Sequence, residues 1–143
     1  MLGTKAGDPR VERLLKELEL SYETDKDGDF KLTFMMEDNR SQVVFICSET
    51  AELGNFEIRE VFSVALIVEE GSLSADMANA LLIYNSRVKL GSWRLIRQGK
   101  GCIAAFSAQI AANTDARSLM TTLRAVMATA DEVEQKLTGE DRF

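Results

Sequence analysis

Histidine is absent from this 143-residue chain. With it go the Ser-His-Asp triad, the Cys-His dyad and every imidazole metal ligand, which removes most hydrolase chemistry. Cysteine is scarce: Cys47 and Cys102 stand 55 positions apart, with no C-x-x-C pair to hold zinc. Each lies in an apolar run and reads as a small core hydrophobe. Long hydrophobic runs are missing as well. The most apolar stretches, 61–68 and 102–112, fall short of the ~20 residues of a bilayer crossing and are broken by Ser63, Ser107 and Gln109. The opening MLGTKAGDPRVERL has no apolar segment of the secretory type, so a cytoplasmic protein without a membrane span is expected.

What is present describes a globular domain. The chain is 45% apolar and 28% charged, with 17 Lys+Arg against 23 Asp+Glu and a net charge of −6. Disordered and collagen-like classes are excluded. A chain of this length buries roughly 68–70% of the surface its unfolded form exposes, enough for a full core. One domain over 1–143 is expected, with 139–143 as a loose tail.

Asp8-Pro9 supplies a cap and a first-turn proline, and Val11, Leu14, Leu15 and Leu18 recur at helical spacing, which predicts an amphipathic helix over residues 9–20. A polar turn at 25–29 leads to the alternation Phe30, Leu32, Phe34, Met36, a half-buried strand. Two further strands, 42–48 and 57–68, are apolar on both sides, as strands in the middle of a sheet are. Ser74 caps a second helix that ends near Asn85. Strands at 88–97 and 102–110 follow, joined by the glycine-containing link 98–101. Asn113-Thr114-Asp115 then opens a long helix whose apolar period runs to Gly139. The fold class is therefore α+β, a mainly antiparallel five- to six-stranded sheet with helices on one face, in the order α-β-β-β(-β)-α-β-β-α.

A sheet of that size is roughly 24–29 Å wide, and three helices of ~10 Å diameter cover one face of it, not two. The uncovered face is apolar and should meet another surface, the alternative being that a helix or loop of the same chain crosses over and seals it. A second copy of the chain is the expected partner, giving a homodimer.

Candidate sites reduce to surfaces. Residues 23–28 have the acidic spacing and glycine of a calcium loop, but the twelfth position, which needs a bidentate Glu, is Phe34. Gly99-Lys100-Gly101 lacks the setting of a phosphate loop and reads as a turn. The carboxylates cluster in turns and helix flanks, and none reads as the buried acid that general acid/base work requires. No catalytic, cofactor-binding or metal-ligating residue is assigned, and a non-enzymatic protein is expected.

Charge is distributed unevenly. Residues 77–114 carry Arg87, Lys89, Arg94, Arg97 and Lys100 with no acid, while the rest holds 12 basic against 23 acidic residues. Cross-strand pairing with Glu57, Glu60, Glu69 or Glu70 would absorb that charge. Nucleic acid is an unfavoured ligand for a chain with pI ≈ 4.8. Two function classes follow. The first is a homodimeric interaction module with an unidentified protein partner, whose contact candidates are Phe45, Phe62, Met77, Leu81 and Trp93. The second is a binder of nucleic acid or an acidic small ligand through the 87–100 hairpin, using Trp93, Arg94 and Arg97.

The element order, together with Leu14-Leu15 to Tyr22, Asp27-Gly28-Asp29, Leu81-Leu82 with Asn85, Gly91 and Trp93, and the closing helix from Met127 to Leu137, resembles the YbjN-like proteins, whose fold is that of type III secretion chaperones. The resemblance spans nearly the whole chain and rests on fold-determining apolar and turn positions. It implies a bacterial, cytoplasmic, dimeric, non-enzymatic protein with chaperone-like or regulatory protein binding. This chain departs from secretion chaperones in its basic hairpin.

Overall fold

Capping and periodicity set the helices. The computed structural model describes residues 5–139, with side chains as far as Leu137. Asp8 accepts the Arg10 N–H at 2.9 Å and starts α1 (Pro9–Glu17), which buries Val11 and Leu15. The helix stops three residues short of the expected end because Glu19 adopts a left-handed conformation, φ 59°, that turns the chain toward the sheet. Ser74 accepts the Met77 N–H and opens α2 (Ala75–Asn85), while Asp115 accepts the Ser118 N–H and opens α3 (Ala116–Gly139). Leu119, Leu123, Val126, Ala130, Val133 and Leu137 form the buried stripe of α3. At 1.5 Å per residue its 24 residues span ~36 Å, about the diameter expected of a domain of this size.

The strands are β1 (Glu23–Thr24), β2 (Phe30–Met35), β3 (Ser41–Leu53), β4 (Phe56–Val68), β5 (Ser92–Gln98) and β6 (Gly101–Ala111). They form one six-stranded sheet in the order β1-β2-β3-β4-β6-β5, every neighbouring pair antiparallel. The α+β class and element order agree with the sequence reading. Two strand boundaries differ by more than one residue. β3 continues past Ser48 to Leu53, because a register shift between Ile46 and Thr50 lets it stay paired with β4 up to a tight turn at Gly54-Asn55. β5 starts at Ser92 rather than Val88, since Val88 and Leu90 pack on the core and Gly91, at φ 90°, redirects the chain.

All three helices pack on one face. Phe30 and Leu32 of β2, Val44 and Ile46 of β3, Val61 of β4 and Phe106 of β6 meet the buried stripes of α1 and α3 there. Burying each such side chain is worth about 1.5–3 kcal/mol. Residues 140–143 of the expected tail lie outside the described residues.

The 25–29 turn is closed on its own backbone. Asp25 Oδ1 accepts from the N–H groups of Asp27 and Asp29, so that carboxylate is spent on the hairpin. Gly28 sits at φ 86°, and a Cβ there would stand 2.8 Å from the Ala6 carbonyl oxygen. Gly28→Ala should therefore cost about 1–3 kcal/mol in urea unfolding, through a left-handed strain and a backbone clash together.

Candidate interaction surfaces

Strand register decides what the helix-free face displays. Lys31 pairs with Phe45, Phe45 with Phe62, Phe62 with Ser107 and Ser107 with Ser92, so these residues form one row across the sheet. A second row runs Val64, Ala105, Arg94, and a third runs Ile67, Ile103, Ile96. The Phe45 and Phe62 rings stack at the centre, centroids 5.2 Å apart and 19° from parallel. Both are half-buried, while Ile67 is 64% and Ile96 40% exposed.

The face is close to neutral. Arg94 reaches back across β6 to Glu60, Nη1 to Oε2 at 2.9 Å, and Ser107 donates to the same oxygen at 2.5 Å. This pairing is the absorption of basic charge expected from the sequence, realised at Glu60. Arg97 is exposed, and among the described residues Arg87, Lys89, Arg97 and Lys100 make no ion pair.

Three contact candidates are corrected. Met77 and Trp93 are 6% and 7% exposed, and Leu81 packs against the same core cluster. The reason is that α2 lies over β5 with this stripe turned inward. Trp93 meets Tyr84 and Phe106 edge-on, at 6.4 and 5.3 Å. The outward side of α2 instead shows Leu82 and Ile83, 66% and 52% exposed. Neither of these two, nor any residue of the isoleucine row, is among the contact candidates. The row could not be foreseen, because a register shift between Val64 and Leu66 turns Leu66 inward and Ile67 outward.

A polar clasp lies where β3 shifts register. Arg59, 2% exposed, donates to the carbonyls of Cys47 and Ser48 at 2.8 and 3.0 Å and to Asp8 Oδ2 at 2.8 Å. Arg10 bridges Asp8 and Glu57, and Thr50 donates to Glu57 at 2.7 Å. The Asp8 N–H donates to Ser48 Oγ, and Ser48 in turn donates to the Gly28 carbonyl. An open cleft of about 860 Å3 beside the clasp is lined by Asp27, Asp29, Cys47, Glu49 and Glu60 among others. Burial and the nearby Asp29 and Glu60 charges push the Cys47 thiol up to about 12, so it stays protonated at neutral pH. Burial also raises the Asp29 carboxyl above its usual value.

The clasp carries a pH dependence. Burial would raise the Asp8 carboxyl, but hydrogen bonds from Arg10 and Arg59 override it and hold the group well below the usual range. Hydrogen bonds from Arg10 and Thr50 pull Glu57 down to about 2. Both groups bind protons more readily in the unfolded chain, so their stabilisation is complete above the ordinary carboxylate values and is lost progressively as pH falls from there through the lowered folded-state values. The urea midpoint should fall steeply between about pH 5 and pH 2, and Asp8→Asn should flatten that slope.

On the helix-bearing face, Asp131 of α3, 8% exposed, is ion-paired with Arg40. Burial and the Asp131 charge raise the neighbouring Glu134 carboxyl, which Gln42 hydrogen-bonds. Among the described residues no cluster of ligating side chains could hold a metal ion, and no helix is long and apolar enough to cross a membrane. Comparison with protein-family models, with curated proteins and with solved structures finds no match.

Proposed function

We propose that the chain is a non-enzymatic interaction module that works as a homodimer, closing the helix-free face of its sheet on a second copy. The observation that carries this reading is the stacked Phe45–Phe62 pair at the centre of that face, flanked by Val64 and the isoleucine row. Apolar side chains in contiguous rows, with no helix over them, are what interaction surfaces consist of. Charge supports a second copy as the occupant: Arg94 and Glu60 neutralise each other within the face, so it selects no partner of opposite sign.

Size supports it too. Five strands at ~4.8 Å spacing, each contributing about six residues at ~3.4 Å, project to roughly 500 Å2 before side-chain relief and the two-residue β1 are added. A standard interface takes about 800 Å2 per partner. The resemblance to YbjN-like proteins adds a chaperone-like or regulatory role in the bacterial cytoplasm.

Isotope-filtered NOE spectra of a mixture of labelled and unlabelled chains test the geometry. Intermolecular contacts from the Phe45 and Phe62 rings and the Ile103 methyls are expected. Intermolecular contacts confined to α2 would overturn it.

A further inference from the structure

An edge strand turns the N–H and C=O of every second residue toward whatever lies beside it. β5 is such an edge, paired with β6 alone. Its first outward-facing peptide groups belong to Trp93, and they are already answered. The side chain of Asn85, the last residue of α2, accepts from the Trp93 N–H at 2.6 Å and donates to the Trp93 carbonyl at 3.4 Å. One amide doing both supplies what the backbone of a neighbouring strand would supply. Asn85 thus stands at the start of the place a seventh strand would fill.

Peptide groups alternate along a strand, so the next outward pairs are those of Leu95 and Arg97. No described residue bonds them. Their surroundings have a definite character. Arg87 and Lys89 precede the strand, Arg97 lies on it and Lys100 follows it, all exposed and all outside any ion pair among the described residues. Leu95 and Ile96, 52% and 40% exposed, supply apolar ground on either side of the strand. We infer that the β5 edge over residues 95–98 accepts an extended, acidic segment of a partner protein as a seventh strand, held by main-chain hydrogen bonds and by these unpaired cations.

Other occupants fit less well. A second β5, in the two-fold register that uses both free residues, would set Leu95 opposite Arg97 and Ile96 opposite Ile96, bringing the two Arg97 side chains to diagonal positions and two unpaired cationic hairpins together, and like charges so placed repel. The acidic β1 edge of another copy offers two residues and would build an open chain of subunits rather than a closed assembly. Single-stranded nucleic acid needs exposed aromatic rings to stack its bases, and Trp93 is buried. Strand addition extends the sheet sideways and leaves the Phe45–Phe62 face free, so this inference stands independently of the homodimer.

The test uses the full chain and a fluorescein-labelled peptide of alternating Glu and Val, about nine residues long to overlap the free edge. Anisotropy titrations should show binding that is weakened about tenfold or more by the double substitution R97E/K100E, because like charges across the contact oppose it. Leu95→Pro should abolish binding without altering the fold, since the N–H it removes bonds nothing in the free protein. The same peptide with Lys for Glu, and one N-methylated at alternate residues, should not bind. The N-methylated peptide makes the strand requirement testable even if the proline variant unfolds. Equal binding by that peptide, no binding by the Glu-Val peptide, or tighter binding by an oligothymidine of matched length would each overturn the inference.

Discussion

Replacing Asp8 with alanine should remove about 3–5 kcal/mol of unfolding free energy, through loss of one partner from a buried ion pair. The effect is large because one carboxylate does three jobs. It caps α1, it anchors Arg10, and it neutralises Arg59, whose side chain is 1% exposed. Without it, the nearly buried Arg59 guanidinium keeps its two carbonyl acceptors but loses its direct counter-charge. Loss of the cap alone would cost about 1 kcal/mol, so a measured loss near that figure would show that Arg59 finds compensation elsewhere. The melting temperature should fall by about 10–15 °C, at the few degrees per kcal/mol usual for a domain this size. Asp8→Asn retains the cap and should cost distinctly less. Thermal and urea unfolding of the two variants check the difference.

Phe62→Lys should convert a dimer into a monomer while leaving the fold intact. Its ring lies at the centre of the open face, stacked on Phe45 and away from the core cluster, so charge placed there is solvated in a monomer and buried in a dimer. Central aromatic residues of an interface carry about 2–4 kcal/mol each, which corresponds to a dissociation constant at least roughly 30-fold higher. Phe45→Lys should act alike. The double variant should fall short of additive, because each ring is the other's neighbour. Leu82→Lys, on the outward side of α2, serves as the comparison and should leave association unchanged. The opposite ranking would move the interface to α2.

Local signals were legible in the sequence and returning ones were not. The caps at Asp8, Ser74 and Asp115 and the seven-position rhythm of α3 are read from neighbouring residues, and the helices start where those signals stand. The shortage of helix relative to strand also anticipated that all helices would share one face. Face assignment failed where parity breaks. Strict alternation would put Val64 and Leu66 on one side of the strand, yet the register shift between them sends Leu66 to the core and Ile67 to the open face. Trp93 read as an exposed aromatic among basic residues because nothing local reveals that α2 folds back over it. The amide lock between Asn85 and Trp93 depends on that same return. Arg59 had a faint signal, a lone arginine inside an apolar strand, but its partner Asp8 lies 51 positions away.

Sedimentation equilibrium on the unmodified chain, across a wide concentration range, bears most directly on whether the open sheet face is an interface. A mass of twice 15.9 kDa is expected at the higher loadings, falling toward a single chain only on dilution or in the Phe62→Lys variant. A mass of one chain at every concentration, with Phe45 and Phe62 solvent-accessible throughout, would contradict it.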